Sequence, residues 1–268
     1  MPSPYRNFTS TDDWQQVQHN DSQHAVRLDL ALLDRGLSDS RSKAQRLIVQ
    51  GKVSVNGVVV SKASAKVSDD DVIAADRGDD YVSRGAYKLV GAFDLFFKDG
   101  LRPPKGLRCL DIGASTGGFC DVLLRHGAAQ VIALDVGHGQ LDPKIANDGR
   151  IIEMSGVNIR DVEVGDLPFR PEMIVSDVSF ISLTYVIPVI ARIAADDAQI
   201  VLLVKPQFEV GKGNLGKNGI VESEDLREQA LRNVIACARS NGLDVRATGL
   251  SPIEGVHGNV EYLLYAVK

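Results

Sequence analysis

The chain has 268 residues, of which 44% are hydrophobic and 24% are charged, and its formal net charge at pH 7 is −5. That length suits one large domain, or one ordinary and one small domain, and the average charge argues against wholesale disorder. No apolar run approaches the roughly 18 residues that span a bilayer, so we expect no membrane-spanning helix and no membrane partner.

Cysteine usage and the first residues predict the compartment. Cys109, Cys120 and Cys237 lie far apart without paired spacing, which suits buried thiols in a reducing cytosol better than disulfides or a metal site. Residues 1–25 are polar and show no periodicity, so they are predicted to form a disordered tail. They also have no apolar core, so they are not expected to be a secretory signal. The sequence therefore predicts a cytoplasmic protein without a metal.

One short segment is basic although the whole chain is acidic. Between Val26 and Lys66 the chain holds eight basic and three acidic residues, which gives 8 − 3 = +5. A small basic module in an acidic protein is typical of contact with a polyanion. On charge alone, a solvated helix face is an equally good interpretation.

The same segment has a clear pattern of local structure. Residues 27–51 predict two short helices, the second begun by Asp39 or Ser40 as N-cap. Residues 52–62 predict a β-hairpin, because Asn56-Gly57 between alternating strands is a strong type I′ turn signal.

This pattern resembles the S4 RNA-binding domain over residues 26–75. The stretches that carry the resemblance are RLD at 27–29, SRSKA at 40–44, LIVQGKVSVNG at 47–57 and DVI at 71–73. The resemblance implies contact with structured RNA through phosphates and shape. In this segment, the residues predicted to contact RNA are Arg27, Arg41, Lys43, Arg46 and Lys52.

After a polar linker at residues 76–82, strands and helices alternate over residues 83–268. Such alternation predicts an α/β domain with a mostly parallel, Rossmann-like sheet. Strands are expected at residues 107–112, 131–135, 151–154, 173–177, 200–204, 245–250 and 260–267. Helices are expected at 84–98, where Tyr87 belongs to the apolar set, and at 117–126, 141–147, 183–194 and 222–241.

The first of these strands runs into a glycine-rich turn, CLDIGASTGGF at residues 109–119. Gly113, Gly117 and Gly118 fit neither a P-loop, which needs a lysine after its second glycine, nor the dinucleotide fingerprint GxGxxG. Asp111, just before the turn, would repel a pyrophosphate and attract a cation. The turn therefore favours a positively charged ligand.

S-adenosylmethionine carries a sulfonium and an ammonium and has no phosphate, so the turn is predicted to bind it. Asp135 supports this prediction. It ends the second strand 135 − 113 = 22 residues after Gly113, where a carboxylate can bind both ribose hydroxyls. A tight strand–helix turn with an ordinary surface aspartate is the alternative interpretation.

The ends of later strands bear on the methyl acceptor. Residues 176–180, SDVSF, lack the proline platform of amine methyltransferases, and no Pro-Cys pair is present for attack on cytosine C5. Asp177 and Lys205 end two strands and would line the crevice of such a sheet. A desolvated Lys205 would suit deprotonation of a hydroxyl, whereas a lysine whose charged head reaches solvent is the alternative.

Four charged residues resemble the K-D-K-E tetrad of FtsJ-type ribose 2′-O-methyltransferases: Lys88, Asp177, Lys205 and Glu261. Glu261 is expected inside the final strand. Together with the preceding S4-like segment, the chain resembles the TlyA family, also catalogued as hemolysin A, over residues 26–268. The blocks that carry this resemblance are SRGAYKL, DIGASTGGF, DVGHGQL, VSDVSFISL, VKPQFEVGKG and GNVEYLL.

The resemblance implies ribosomal RNA in ribosomal subunits as substrate and a cytidine 2′-hydroxyl as acceptor. The tetrad would be catalytic, with Lys205 removing or steering the hydroxyl proton, Asp177 and Lys88 orienting Lys205, and Glu261 holding Lys88 or the ribose. A close Asp177 would keep Lys205 charged, which favours positioning over proton removal. The implied S-adenosylmethionine-binding residues are Asp111, Gly113, Ser115, Gly117, Asp135, Asn158 and Asp177.

The loop of residues 209–221 contains four glycines, Lys212 and Lys217. It is expected to be a lid that contacts RNA phosphates through Lys212, with a plain surface connection as the alternative.

Two other functions of the whole protein remain open: a catalytically inactive RNA-binding ribosome-assembly factor, and a hemolysin. The residues determine neither the oligomeric state nor the modified nucleotide.

Overall fold

The computed structural model describes residues 25–38, 40–76 and 80–268. The chain divides into two units, of which the first ends at Asp80 and the second comprises Tyr81–Lys268. Three predictions lie wholly or partly outside the described residues: the tail at 1–25, Asp39 as an N-cap, and residues 77–79 of the linker. The domain boundaries proposed from the sequence stay predictions.

Two short helices of the first unit form where the sequence predicted them, namely α1 (Leu28–Asp34) and α2 (Arg41–Val49). Ser40 Oγ accepts a hydrogen bond from the backbone N–H of Lys43 and so caps α2, which confirms one of the two predicted N-caps. Both helices turn apolar side chains into a common core, which contains Leu28, Leu32, Ala44, Leu47 and Ile48.

The predicted hairpin is also present. Strand β2 (Val53–Val55) pairs antiparallel with β3 (Val58–Val59), and Asn56 and Gly57 between them have φ angles of 52° and 81°. Positive φ at both central positions is what a type I′ turn requires. Two pairings complete the unit and were not predicted, because strands of two or three residues carry too little alternation: β1 (Val26–Arg27) with β4 (Lys66–Val67), and β2 with β5 (Ile73–Ala75).

The second unit is built on a sheet of seven strands, as predicted: β6 (Arg108–Ile112), β7 (Gln130–Asp135), β8 (Ile151–Ser155), β9 (Met173–Ser176), β10 (Gln199–Val204), β11 (Asp244–Leu250) and β12 (Tyr262–Val267). Their spatial order is β11-β12-β10-β9-β6-β7-β8. Strands β6 to β10 run parallel, and β12 runs antiparallel to both of its neighbours. The mostly parallel Rossmann-like sheet is confirmed.

Helices cover both faces of this sheet, as alternation of buried strands with helices requires. Their bounds are α3 (Ala86–Phe96), α4 (Gly118–Arg125), α5 (Pro143–Ala146), α6 (Leu183–Ile193), α7 (Pro206–Glu209) and α8 (Glu224–Ser240). One core cluster packs α6 and α8 against the sheet, and a second packs α3 and α4 against its other face. Single helical turns of the 3-10 type occur in the loops, including residues 212–214 and 217–219.

Two predictions for individual residues were wrong. Tyr87 was placed in the apolar set of its helix, yet it is 37% exposed and its ring packs edge-on against Tyr81, with 5.5 Å between centroids. Glu261 was placed inside the final strand, but β12 begins one residue later.

Cys109 and Cys120 are buried free thiols, as expected. Within the described ranges, no helix is long and apolar enough to cross a membrane.

Candidate active site

The four predicted tetrad residues meet at the edge of the sheet where the parallel strands end. Lys88 lies in the first turns of α3, Asp177 follows β9 and Lys205 follows β10. Glu261 precedes β12. Because β12 runs antiparallel to β10, its first residues lie beside the last residues of β10, and Glu261 therefore reaches the same edge.

The tetrad forms a continuous chain of ion pairs. Lys205 Nζ lies 2.6 Å from Asp177 Oδ1, and Lys88 Nζ lies 3.6 Å from Asp177 Oδ2. Lys88 Nζ also lies 2.7 Å from Glu261 Oε2. Each ammonium is thus next to at least one carboxylate, and Lys88 bridges the two acids.

The tetrad is largely hidden from solvent. The exposed fraction of the side chain is 9% for Lys88, 20% for Asp177, 10% for Lys205 and 2% for Glu261. Removing a charge from water is costly unless an opposite charge and hydrogen bonds compensate for it. Two ammonium and two carboxylate groups give 2 − 2 = 0, so the cluster can be buried as a neutral unit. Asp177, the most exposed member, faces the adjoining cavities.

Two side chains that the sequence did not single out hold the tetrad from outside. Lys205 Nζ donates a hydrogen bond of 2.8 Å to Ser179 Oγ. Gln207 Nε2 donates one of 3.3 Å to Glu261 Oε1. Each lies two residues from a tetrad member along the chain, and that proximity was the only signal available before the structure.

A cavity of about 610 Å³ opens beside the tetrad. Its volume lies within the range of about 300–1,000 Å³ that small-molecule sites occupy. The predicted cofactor residues in its wall are Gly113, Ser115, Asp135, Asn158 and Asp177. A smaller cavity of about 190 Å³ adjoins it, and both Asp177 and Lys205 line this second space. Asp177 lies at the junction of the two cavities.

Asp135 connects the two loops that flank the larger cavity. Its Oδ2 accepts a hydrogen bond of 2.8 Å from the backbone N–H of Ser115, and its Oδ1 accepts one of 2.8 Å from Gly137. Gln140 Nε2 adds a longer bond of 3.3 Å to Oδ1. A carboxylate has about four lone-pair sites, so Asp135 retains acceptor capacity for hydroxyl groups.

At Gly113 the loop that follows β6 comes very close to the backbone of the loop that follows β9. Its φ is 83°, and a Cβ placed on it would lie 2.9 Å from the carbonyl oxygen of Asp177. Glycine is therefore required both by the backbone angle and by the contact between the loops that follow β6 and β9. A Cβ placed on Gly117 would lie 3.0 Å from Ile145, and Gly117 does not line either cavity. Its contact with a cofactor stays a prediction.

Asp111 is placed differently from the other predicted cofactor residues. It is fully buried within β6, and its Oδ2 accepts a hydrogen bond from Cys120 Sγ at 3.1 Å. Burial, to which Asp177 and Asp135 add, raises the pKa of Asp111 to about 7. It lines neither cavity, so direct contact between Asp111 and a cofactor stays a prediction.

A pair of aromatic rings lies near the tetrad, and one of them, Phe208, is close to Lys205. Phe180 is 91% exposed, and its ring centroid lies 5.1 Å from that of Phe208. Phe180 also has a positive φ of 66°, which is uncommon for a large side chain. Lys205 Nζ lies 5.9 Å from the centroid of Phe208. Sequence analysis did not identify this exposed apolar surface next to the tetrad.

The glycine-rich loop of residues 209–221 is anchored at both ends. Glu209 accepts hydrogen bonds from Ser182 Oγ at 2.5 Å and from the backbone N–H of Leu183 at 2.8 Å, so it caps α6. Asn259 Oδ1 accepts a bond of 3.2 Å from the backbone N–H of Val221. Lys212 lies exposed between these anchors. A lid function for this loop stays a prediction.

The predicted RNA-contacting residues of the first unit fall into two groups. Arg27 and Arg41 both hydrogen-bond to Asp29. Lys43 forms an ion pair with Asp80. The other two have no ion pair within the described residues: Arg46, which is exposed, and Lys52, which is half-buried.

In the part of the chain that the structure describes, no group of three or more His, Cys, Asp and Glu side chains is arranged to hold a metal ion.

Two family profiles match the chain. Residues 81–268 match the FtsJ-like methyltransferase family, and residues 26–73 match the S4 domain. The chain is 44% identical over 242 residues to 16S/23S rRNA (cytidine-2′-O)-methyltransferase TlyA of Mycobacterium tuberculosis. That match covers 90% of this chain and 89% of the relative.

Solved structures agree with these matches. A protein described as "putative hemolysin", from Streptococcus thermophilus, is 38% identical with a TM-score of 0.69, and the match covers 92% of this chain and 90% of that one. A "putative S-adenosylmethionine dependent methyltransferase" from Listeria monocytogenes has a TM-score of 0.50 at 13% identity, covering 67% of this chain and 99% of that one. At that identity the likeness shows the fold alone.

Proposed function

The chain belongs to the TlyA family of FtsJ-like methyltransferases, and on that premise we propose that it methylates a ribose 2′-hydroxyl of ribosomal RNA with S-adenosylmethionine. The acceptor is a cytidine, as in the name of the relative from M. tuberculosis. The substrate is the RNA within a ribosomal subunit, and the place of action is the cytoplasm, where ribosomes are found.

The observation that carries this proposal is the position of the tetrad at the junction of two cavities. The larger cavity has carboxylates of Asp135 and Asp177 in its wall, which suit ribose hydroxyls and a cationic ligand. The smaller cavity brings Lys205 beside Asp177. S-adenosylmethionine, when bound, supplies an electrophilic methyl group on a sulfonium.

In this proposal Lys205 orients the attacking oxygen. An ammonium has three N–H donors. Lys205 directs one to Ser179 at 2.8 Å, and its Nζ forms an ion pair with Asp177 Oδ1 at 2.6 Å that does not have hydrogen-bond geometry. The remaining donors can reach the ribose 2′-oxygen. As the bond from the 2′-oxygen to the methyl carbon would form, the bond from that carbon to the sulfonium sulfur would break. The hydroxyl proton would pass to the carboxylate of Asp177, because the Lys205 ammonium has no lone pair to accept it. Positioning of this kind contributes more to the rate than basicity alone.

Lys88 and Glu261 support that pair. Lys88 lies between the two carboxylates and limits the movement of Asp177. Glu261, the most deeply buried of the four, fixes Lys88, and Gln207 fixes Glu261 in turn. Packing and hydrogen bonds thus determine the orientation of the reacting groups before RNA arrives.

An inactive assembly factor is the second candidate, and the buried tetrad argues against it. Four charged groups at the rim of a cavity are costly to bury, and a purely RNA-binding protein gains nothing from them. Among the residues that the structure describes, no comparable site favours the hemolysin function that some relatives' names suggest. Neither alternative matches the geometry as well as methyl transfer.

The experiment that tests the proposal is transfer of a labelled methyl group from S-adenosylmethionine to isolated small and large ribosomal subunits that lack the modification. We expect label in 2′-O-methylcytidine, identified by mass spectrometry of the nucleosides. Lys205→Ala, assayed in parallel, should transfer nothing. Tight cofactor binding by the wild type without transfer to either subunit would instead favour the assembly factor.

A further inference from the structure

The first unit contains a buried carboxylate that the proposed reaction does not use. Asp29, in the first turn of α1, is 0% exposed. Arg27 donates to it from Nε at 2.9 Å and from Nη2 at 3.0 Å. Arg41 Nε donates at 3.0 Å and Gln45 Nε2 at 2.8 Å. Three side chains from two elements of the unit thus converge on one acid.

The carboxylate is ionised and its arginines reach solvent. The hydrogen bonds from Arg27, with those from Gln45 and Arg41, hold the pKa of Asp29 well below its usual range despite the burial. The side chain of Arg27 is 35% exposed and that of Arg41 is 54% exposed. The acid therefore lies beneath two guanidinium groups that face outward.

Both guanidinium groups retain unused donors. A guanidinium has five N–H groups, of which Arg27 directs two and Arg41 one to Asp29. Among the described residues, neither side chain has a second acceptor. The cluster carries 2 − 1 = +1, which matches the single negative charge of a phosphodiester. Guanidinium groups bind phosphate oxygens through paired, planar N–H bonds.

We propose that Asp29 is a positioning residue that holds Arg27 and Arg41 as a fixed pair around one phosphodiester group of the RNA backbone. The proposal rests on the proposed function in taking RNA as the ligand. A free arginine loses rotamer freedom when it binds, whereas a pair already held by Asp29 loses less. Arg46, which is exposed on the same helix as Arg41 (α2), has no such carboxylate within the described ranges to hold it and should lose more rotamer freedom on binding.

If Asp29 only joined α1 to α2 as a structural ion cluster, its replacement would have a different effect on RNA binding. Asp29→Asn raises the net charge of the module by one, so charge alone would tighten RNA binding. An amide accepts through one oxygen only, and its NH₂ group would face arginine donors. The pair would lose its fixed geometry, and RNA binding would weaken although positive charge is gained.

The test uses the full chain as wild type, Asp29→Asn, Asp34→Asn and Arg41→Lys. Asp34 is an exposed carboxylate on the same helix, so its replacement is a matched control for charge. The measurements are the Kd for ribosomal RNA across a salt series, the KM and kcat for methyl transfer to unmodified subunits, the Kd for S-adenosylmethionine, and the melting temperature.

We expect Asp29→Asn to raise the Kd and KM for RNA about tenfold, the loss of roughly one charge-assisted hydrogen bond. The kcat and the Kd for S-adenosylmethionine should not change. Asp34→Asn, which gains the same charge, should bind RNA as tightly as the wild type or slightly more tightly. Arg41→Lys keeps the charge but not the fork, so it should weaken RNA binding without reducing the salt dependence.

Equal or tighter RNA binding by Asp29→Asn than by Asp34→Asn would overturn the proposal. If Asp29→Asn does not fold, Arg41→Lys decides, and wild-type affinity in that variant would equally overturn it. Absence of methyl transfer by the wild type would refute the proposed function instead. The RNA affinities of the variants would still decide whether Asp29 positions the pair.

Discussion

Lys88 Nζ and Glu261 Oε2 lie 2.7 Å apart in a buried ion pair, although 173 positions separate the two residues along the chain. Lys88 is closer to Glu261 than to Asp177, which lies 3.6 Å away. Glu261 is therefore the principal partner of Lys88, and we expect its effect on the proposed reaction to pass through Lys88 to Asp177.

Replacement of Glu261 by Gln should slow methyl transfer. An amide cannot neutralise Lys88, so we expect Lys88 to shift toward Asp177 and to disturb the Lys205–Asp177 pair, lowering kcat by about 10²-fold. Single-turnover transfer to ribosomal subunits measures the effect. Glu254→Gln, which removes an exposed carboxylate of the same loop region, should be as active as the wild type. Equal rates for the two variants would contradict the proposal that Glu261 acts through Lys88 on Asp177.

Replacement of Lys205 by Ala should abolish transfer, a loss of at least about 10²-fold, because the 2′-oxygen loses its donor. The Kd for S-adenosylmethionine, measured by calorimetry, should stay close to that of the wild type. Loss of cofactor binding together with activity would refute the role assigned to Lys205.

Replacement of Ser179 by Ala removes the hydrogen bond that fixes Lys205 from outside the tetrad. We expect kcat to fall at least about tenfold with unchanged KM for RNA, since a hydrogen bond that involves a charged group contributes about 1.5–3 kcal/mol. Steady-state kinetics measure both constants. Ser240→Ala, an exposed serine at the end of α8, is the control and should have no effect. A change in KM alone would assign Ser179 to RNA binding instead.

Replacement of Gly113 by Ala should weaken cofactor binding and lower the melting temperature. The added Cβ would lie 2.9 Å from the carbonyl oxygen of Asp177, at a φ of 83° that alanine rarely adopts. Gly149→Ala is the matched control, because no atom lies within 4 Å of its Cβ position. Calorimetry with S-adenosylmethionine and thermal unfolding should separate the two variants; similar behaviour would mean that the two loops move apart readily.

Asp111 should make stability depend on pH. Burial raises its pKa from 3.8 to about 7, so the folded state binds its proton more tightly than the unfolded state does. The stability due to this group is complete below about pH 4 and is lost as pH rises through 7, at no more than about 1.4 kcal/mol per pH unit. In Asp111→Asn the side chain does not titrate, so the variant should not lose this stability as pH rises. Urea unfolding without cofactor should show the variant gaining relative stability from pH 5 to 8, and a constant difference would contradict the prediction.

The sequence was sufficient where patterns are local. Alternation of strands and helices located all seven strands of the main sheet. The parallel strands β6, β7, β9 and β10 are mostly buried apolar runs, whereas β11 has alternating exposure. Asn56-Gly57 likewise predicted its turn. The tetrad was identified by resemblance, and the structure brings all four residues together, because strand ends of such a sheet share one edge.

Contacts between distant segments were not predictable. No sequence signal indicates that Asp111 lies beneath the cavities and not in their wall, since that depends on which side of β6 it faces. The hydrogen bonds of Ser179, Gln207 and Glu209 join loops that follow different strands. Their partners are determined by packing alone, which a single sequence does not record.

The insertion of β12 between β10 and β11 bears on how the protein reaches its active form. Lys88 and Glu261 are 173 positions apart along the chain, and contacts of such long range form slowly. We therefore expect the proposed catalytic set to be completed late in folding, when β12 has paired with its two neighbours. A partly folded chain could carry a formed S4 domain and still be unable to modify RNA, so methyl transfer would report completion of the whole domain.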